Sequence, residues 1–147
     1  MEAYTHLNGK WKLENSASDE IGPFLKEMGA PWIAQKAANS ASPTIRLTVT
    51  LSGKQGLEVK NYGLLMSSKH FYALGEASTH VAQDGSKCPA RLELNPDGSL
   101  SVSISHARGD ILQSYMRVGE DMHCVIALSR GGVEVLRMRR VNKRVAE

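Results

Sequence analysis

The 147-residue sequence predicts an all-β protein, and two features of its pattern carry that expectation. From Pro43 almost to the C-terminus, apolar and polar residues alternate with the period of two that marks a half-buried strand. Glycines return between these runs at the spacing of roughly 8–12 residues expected of short strands joined by tight turns. Together they read as an antiparallel meander, either a sandwich or a closed up-and-down barrel. Closure removes the exposed edges of such a meander, and barrels of this size hold one small ligand inside.

Each element has a local reason. Lys10-Trp11-Lys12-Leu13-Glu14 alternates cleanly, with Trp11 and Leu13 on one face. Ser18-Asp19-Glu20 then supplies capping side chains, and Pro23 suits a first helical turn. Phe24, Leu25 and Met28 share a helical face that Gly29 ends. A second short helix is expected from Trp32 to Ser40, stopped by Pro43. The strands that follow are Ile45–Leu51, Leu57–Lys60, Lys69–Leu74, Ser78–Ala82, Lys87–Leu94, Ser99–His106, Ile111–Val118, His123–Ser129 and Val133–Val141. Asp84-Gly85 and Asp97-Gly98 are hairpin turn signals. With no linker or repeat between these elements, residues 1–147 are expected to form one domain.

Composition excludes several classes. Hydrophobic residues at 41% and charged residues at 22% belong to an ordinary globular chain, not to a disordered one. No apolar run reaches the roughly 18 residues of a membrane span, and the opening MEAYTHLNGKWK lacks a signal-peptide core, so a cytoplasmic location is expected. Cys88 and Cys124 have no CxxC spacing and read as free thiols. The five histidines, at positions 6, 70, 80, 106 and 123, have no metal-ligand spacing and read as surface or hairpin residues. Neither GxSxG nor a phosphate-cradling GxxxxGKS/T or GxGxxG occurs, so neither an enzyme nor a cofactor is expected. The net charge of +3 is concentrated in residues 137–147, where Arg137, Arg139, Arg140, Lys143 and Arg144 face only Glu147. No aromatic lies among them, which argues against nucleic-acid binding. A solvated edge strand protected by its charges is the simpler reading.

The segment FLKEMGAPWIAQKAANSASPTI, Phe24 to Ile45, resembles the helix pair of the intracellular fatty-acid-binding proteins. Asn8-Gly9-Lys10-Trp11-Lys12-Leu13 is similar to that family's first strand, and Leu74-Gly75-Glu76 to a mid-barrel motif. Asn95-Pro96-Asp97-Gly98 sits where a family hairpin turns, and GGVEVLRMRRV resembles the last strand. The resemblance covers nearly the whole chain. It implies a calycin-like, ten-stranded antiparallel up-and-down β-barrel capped by a short helix–turn–helix. It also implies a monomeric, non-enzymatic carrier of a long-chain fatty acid or related hydrophobic anion. The chain departs from the pattern in its sparse aromatics, 5% of residues, and in two extra residues before the first helix. The alternative is a barrel that serves as an interaction or membrane-surface module and has lost its ligand.

In many family members two arginines and a tyrosine meet the ligand carboxylate, the last two as Arg-x-Tyr on the final strand. Carried onto this chain, the resemblance assigns Arg137 and Arg117, with Arg139 in the tyrosine position and Tyr115 close by. Phe24 and Met28 would line the ligand from the first helix, and Lys26 and Lys36 would touch anionic membranes transiently from the helical lid. Alternation alone points elsewhere: it turns Leu136 and Met138 inward and Arg137 and Arg139 to water, and likewise turns Ser114, Met116 and Val118 inward and Tyr115 and Arg117 outward.

Overall fold

In the computed structural model, described for residues 2–62, 67–82 and 85–146, the strand order follows the expected one throughout. A helical turn, α1 (Glu2–Thr5), precedes β1 (Gly9–Leu13), and a 3-10 turn at Asn15–Ala17 leads to α2 (Gly22–Glu27) and α3 (Trp32–Ser40). The strands β2 (Thr44–Thr50), β3 (Gly56–Tyr62), β4 (Ser67–Ala73), β5 (Ser78–Val81) and β6 (Lys87–Leu94) come next. They are followed by β7 (Leu100–His106), β8 (Gly109–Val118), β9 (Asp121–Arg130) and β10 (Val133–Val145). Gly63 and Asp84, two expected turn residues, lie outside the described residues. Asp97-Gly98 does turn a hairpin: Gly98, at φ +89°, donates its N–H to the Asn95 carbonyl at 3.0 Å.

All ten strands form one antiparallel sheet ordered β4-β3-β2-β1-β10-β9-β8-β7-β6-β5. Only one strand joins the two halves of the meander: β1 pairs with β2 on one side and with β10 on the other, Trp11 opposite Ile45 and Arg144. This makes β10 an interior strand and overturns the reading of the basic segment as a sheet edge. The sheet rolls into a barrel whose seam lies between β4 and β5. There, side chains replace a ladder. The Ala73 N–H donates to Ser78 Oγ at 2.8 Å, Tyr72 Oη lies 2.9 Å from His80 Nδ1, and an isolated bridge joins Leu74 to Leu92.

The register divides the barrel into a packed floor and a hollow upper half. Residues 4–8 cross the floor: the Tyr4 hydroxyl donates to the Asn95 carbonyl at 2.8 Å, and the Val49 N–H donates to Asn8 Oδ1 at 2.6 Å. Leu7 of this segment is fully buried, as are Trp11, Leu47, Leu57, Leu100, Val102 and Met122. At the opposite end α2 and α3 form the lid. A Schellman motif ends α2, with the Ala30 N–H on the Leu25 carbonyl, the Gly29 N–H on the Lys26 carbonyl, and Gly29 at φ +87°. Asn39 Oδ1 accepts the Gly22 N–H at 2.6 Å and ties the start of α2 to α3.

Trp11 is the keystone of the floor. Its indole N–H donates to the Leu7 carbonyl at 2.9 Å, and the guanidiniums of Arg144 and Arg117 lie 4.4 and 5.5 Å from its ring centre. Trp11→Ala is expected to cost about 3–5 kcal/mol of stability. Arg144→Met is expected to cost only about 1 kcal/mol, the scale of a partly exposed cation–π contact. Urea unfolding of the two variants checks both magnitudes.

Candidate functional site

Under the lid lies a cavity of about 730 Å³. Its apolar wall comes from Phe24 and Leu25 of α2 and Met28 at its C-terminal cap, with Ile45, Val59, Ile111 and Ile126 from the barrel. These positions follow from strand alternation, since the residues between them face outward. Phe24, Met28 and Tyr115 line the cavity.

The arginines need correction. Arg137 lies on the outer face, its side chain 60% exposed, and pairs with Glu134 at 2.7 Å. That carboxylate holds the guanidinium pKa above its ordinary value. Arg139 is also exposed, its Nη1 lying 2.8 Å from His123 Nδ1. Burial and this cation together keep the His123 pKa low. The physical reason is parity: the inward face of β10 carries Leu136, Met138, Arg140 and Asn142, the apolar phase that alternation favoured. Arg117 shares the face of Tyr115 but sits below the cavity, donating to the carbonyls of His6 at 2.8 Å and Gly119 at 3.0 Å. It clamps the floor. Thus Arg117, Arg137 and Arg139 do not form the expected inward cluster.

The inward cation is Arg140, only 7% exposed and part of the cavity wall. Its Nη1 donates to the Asp19 carbonyl, and among the described residues no carboxylate lies within ion-pair distance of it. Desolvation lowers its pKa despite the nearby Cys124 and Asp19. Two residues on, Asn142 also faces the cavity. Beside them, the Tyr115 hydroxyl donates to Gln113 Oε1 at 3.2 Å, and burial pushes the Cys124 thiol pKa up to about 12. Cys124 is therefore an uncharged wall, as is Tyr115, whose pKa burial also raises. Both cysteines are free.

Sequence reasoning also missed the histidines. His70, His80 and His106 all line the cavity, the first two stacked on Tyr72 and on each other. Only the pairing register reveals this, because the three belong to different strands. Alternation does place His70 and Tyr72 in one phase. Among the described residues no group of three His, Cys, Asp or Glu side chains is arranged to hold a metal.

A Clonorchis sinensis fatty acid-binding protein is 30% identical over 102 residues, covering 69% of this chain and 74% of that one. This chain belongs to the fatty acid-binding protein family. A Tyrophagus putrescentiae fatty acid-binding protein is 28% identical over 131 residues, 89% of this chain and 94% of its own. The same barrel is seen in a Schistosoma mansoni fatty acid binding protein in complex with arachidonic acid, with TM-score 0.81 and 17% identity over 98% of this chain and 99% of that chain. No family model matches the sequence.

Burial, then His70 and His106, hold the His80 pKa below the ordinary 6.5. The fold therefore favours the neutral ring. The resulting stability is present above the unfolded value and is lost as pH falls from there through the folded value. His80→Gln is expected to lose less stability than the parent protein between about pH 7 and pH 5, as urea unfolding at each pH will read.

Proposed function

We infer that this fatty acid-binding protein is a non-enzymatic, monomeric cytoplasmic carrier that holds a long-chain fatty acid or related hydrophobic anion in its cavity. One observation carries the reading: a buried arginine, Arg140, lines a largely apolar cavity and has no carboxylate at ion-pair distance among the described residues. A buried charge is costly when uncompensated, and an anion with an apolar tail supplies both the charge and the chain that such a cavity takes. Guanidinium grips carboxylate in a planar fork, and Asn142 offers an amide donor beside it. Tyr115 and Gln113 border the head group, while Phe24, Leu25 and Met28 cover the chain.

The lid supports a membrane-contact step in the same cycle. Trp32 and Ile33 on α3 are 67% and 75% exposed, and Lys36 Nζ lies 5.3 Å from the Trp32 ring centre. Lys26 is exposed on α2. An aromatic and an aliphatic side chain flanked by lysines suit an anionic bilayer surface, where each charge contributes about 1 kcal/mol.

Titration with oleate and with oleyl alcohol tests the carrier. The parent protein is expected to prefer the acid by at least about tenfold, the scale of one charge-assisted hydrogen bond. Arg140→Met loses that preference and Arg137→Leu keeps it. Equal affinity for acid and alcohol in the parent protein overturns the arginine's role, and absence of binding to either favours the module without a ligand. For the lid, transfer of a fluorescent fatty acid to vesicles is expected to speed up with anionic lipid. Lys26→Glu with Lys36→Glu removes that acceleration.

A further inference from the structure

We propose that the wall formed by His70, Tyr72 and His80 is a second polar subsite, which takes a hydroxyl or oxo group carried partway along the ligand chain. The inference rests on the carrier reading above and names its ligand class as oxygenated long-chain acids. Around the barrel, β1–β3 separate β10 from β4 on one side, and β6–β9 separate it from β5 on the other. Arg140 on β10 and the trio on β4 and β5 therefore occupy opposite walls of one cavity. A ligand anchored at Arg140 must lay its chain across to reach them.

That far wall is poorly suited to a plain hydrocarbon. The ring centres of His70 and His80 lie 5.3 Å apart, and those of Tyr72 and His80 lie 6.2 Å apart, so three polar rings form one surface. Tyr72 Oη and His80 Nδ1 satisfy each other at 2.9 Å, leaving His80 Nε2 for another partner. Among the described residues the His70 ring makes no hydrogen bond. A saturated chain laid against these nitrogens strips their water and returns nothing. A neutral imidazole carries one donor and one acceptor, which matches a hydroxyl in both senses and a carbonyl in one. A second carboxylate fits less well, because burial and the neighbouring histidines disfavour the imidazolium it would need.

The test compares binding of stearate with that of a positional series of hydroxystearates, by calorimetry. At least one hydroxy acid is expected to bind the parent protein several-fold more tightly than stearate. His70→Phe, which has no internal hydrogen bond to lose, and Tyr72→Phe with His80→Leu are each expected to shrink that ratio towards one. Equal affinity for stearate and every hydroxystearate in the parent protein overturns the subsite and leaves the carrier standing, a result that needs no variant to fold. A preference that survives in both variants also overturns it. Binding of neither kind of acid overturns the carrier reading and the subsite together.

Discussion

The pairing of β1 with β10 is the constraint on which the rest of the molecule depends. It joins the two ends of the chain, turns a ten-strand meander into a barrel and makes the basic C-terminal run an interior strand. Trp11 sits at that junction, packed beneath Arg144 and Arg117 and hydrogen-bonded to the segment that crosses the floor. Because the floor is solid, the free volume is pushed to the lid end. A five-residue strand thus decides where the cavity lies.

The same junction explains why a cluster of five basic residues produces no single basic patch. On a strand, neighbours alternate between faces, so each cation meets a different partner. Arg137 finds Glu134, Arg139 lies beside His123, and Lys143 reaches Asp121 at 2.8 Å. Arg144 covers Trp11, and Arg140 alone enters the cavity. Linear charge density was informative about none of these separately.

Strand order, the helix pair and the hairpin at Asp97-Gly98 were legible in the sequence because each has a local cause: alternation, capping, or a glycine with positive φ. The site was legible only in part. Phe24 and Met28 follow from helical spacing, but alternation on β8 favoured Met116 and Val118 as the inward face, whereas Tyr115 is the buried, cavity-lining residue and Val118 is exposed. Arg137 was misassigned because a motif anchored at the wrong residue of an arginine-rich strand overrode the parity of Leu136 and Met138. An odd displacement, Arg137 to Arg140, turns every side chain to the other face. The histidine wall was out of reach for a different reason. His70, His80 and His106 converge only after three strands have paired, and no spacing along the chain encodes that.

The position of Arg140 also links the cavity to its cover. The connector between β1 and α2 is fastened to β10 at two adjacent residues: the Arg139 N–H donates to Asp19 Oδ2 at 2.9 Å, and Arg140 donates to the Asp19 carbonyl. Ser18 Oγ accepts the Val141 N–H at 2.8 Å just beyond. From the far side, Arg130 holds the end of α2 through Glu27 at 2.6 Å. The lid is therefore fastened to β9 and β10, the strands opposite the seam. Among the described residues no hydrogen bond or ion pair fastens it to β4 or β5, where side chains rather than a ladder close the barrel. Charge and lid anchorage share one side of the molecule, and the weakest backbone pairing lies on the other.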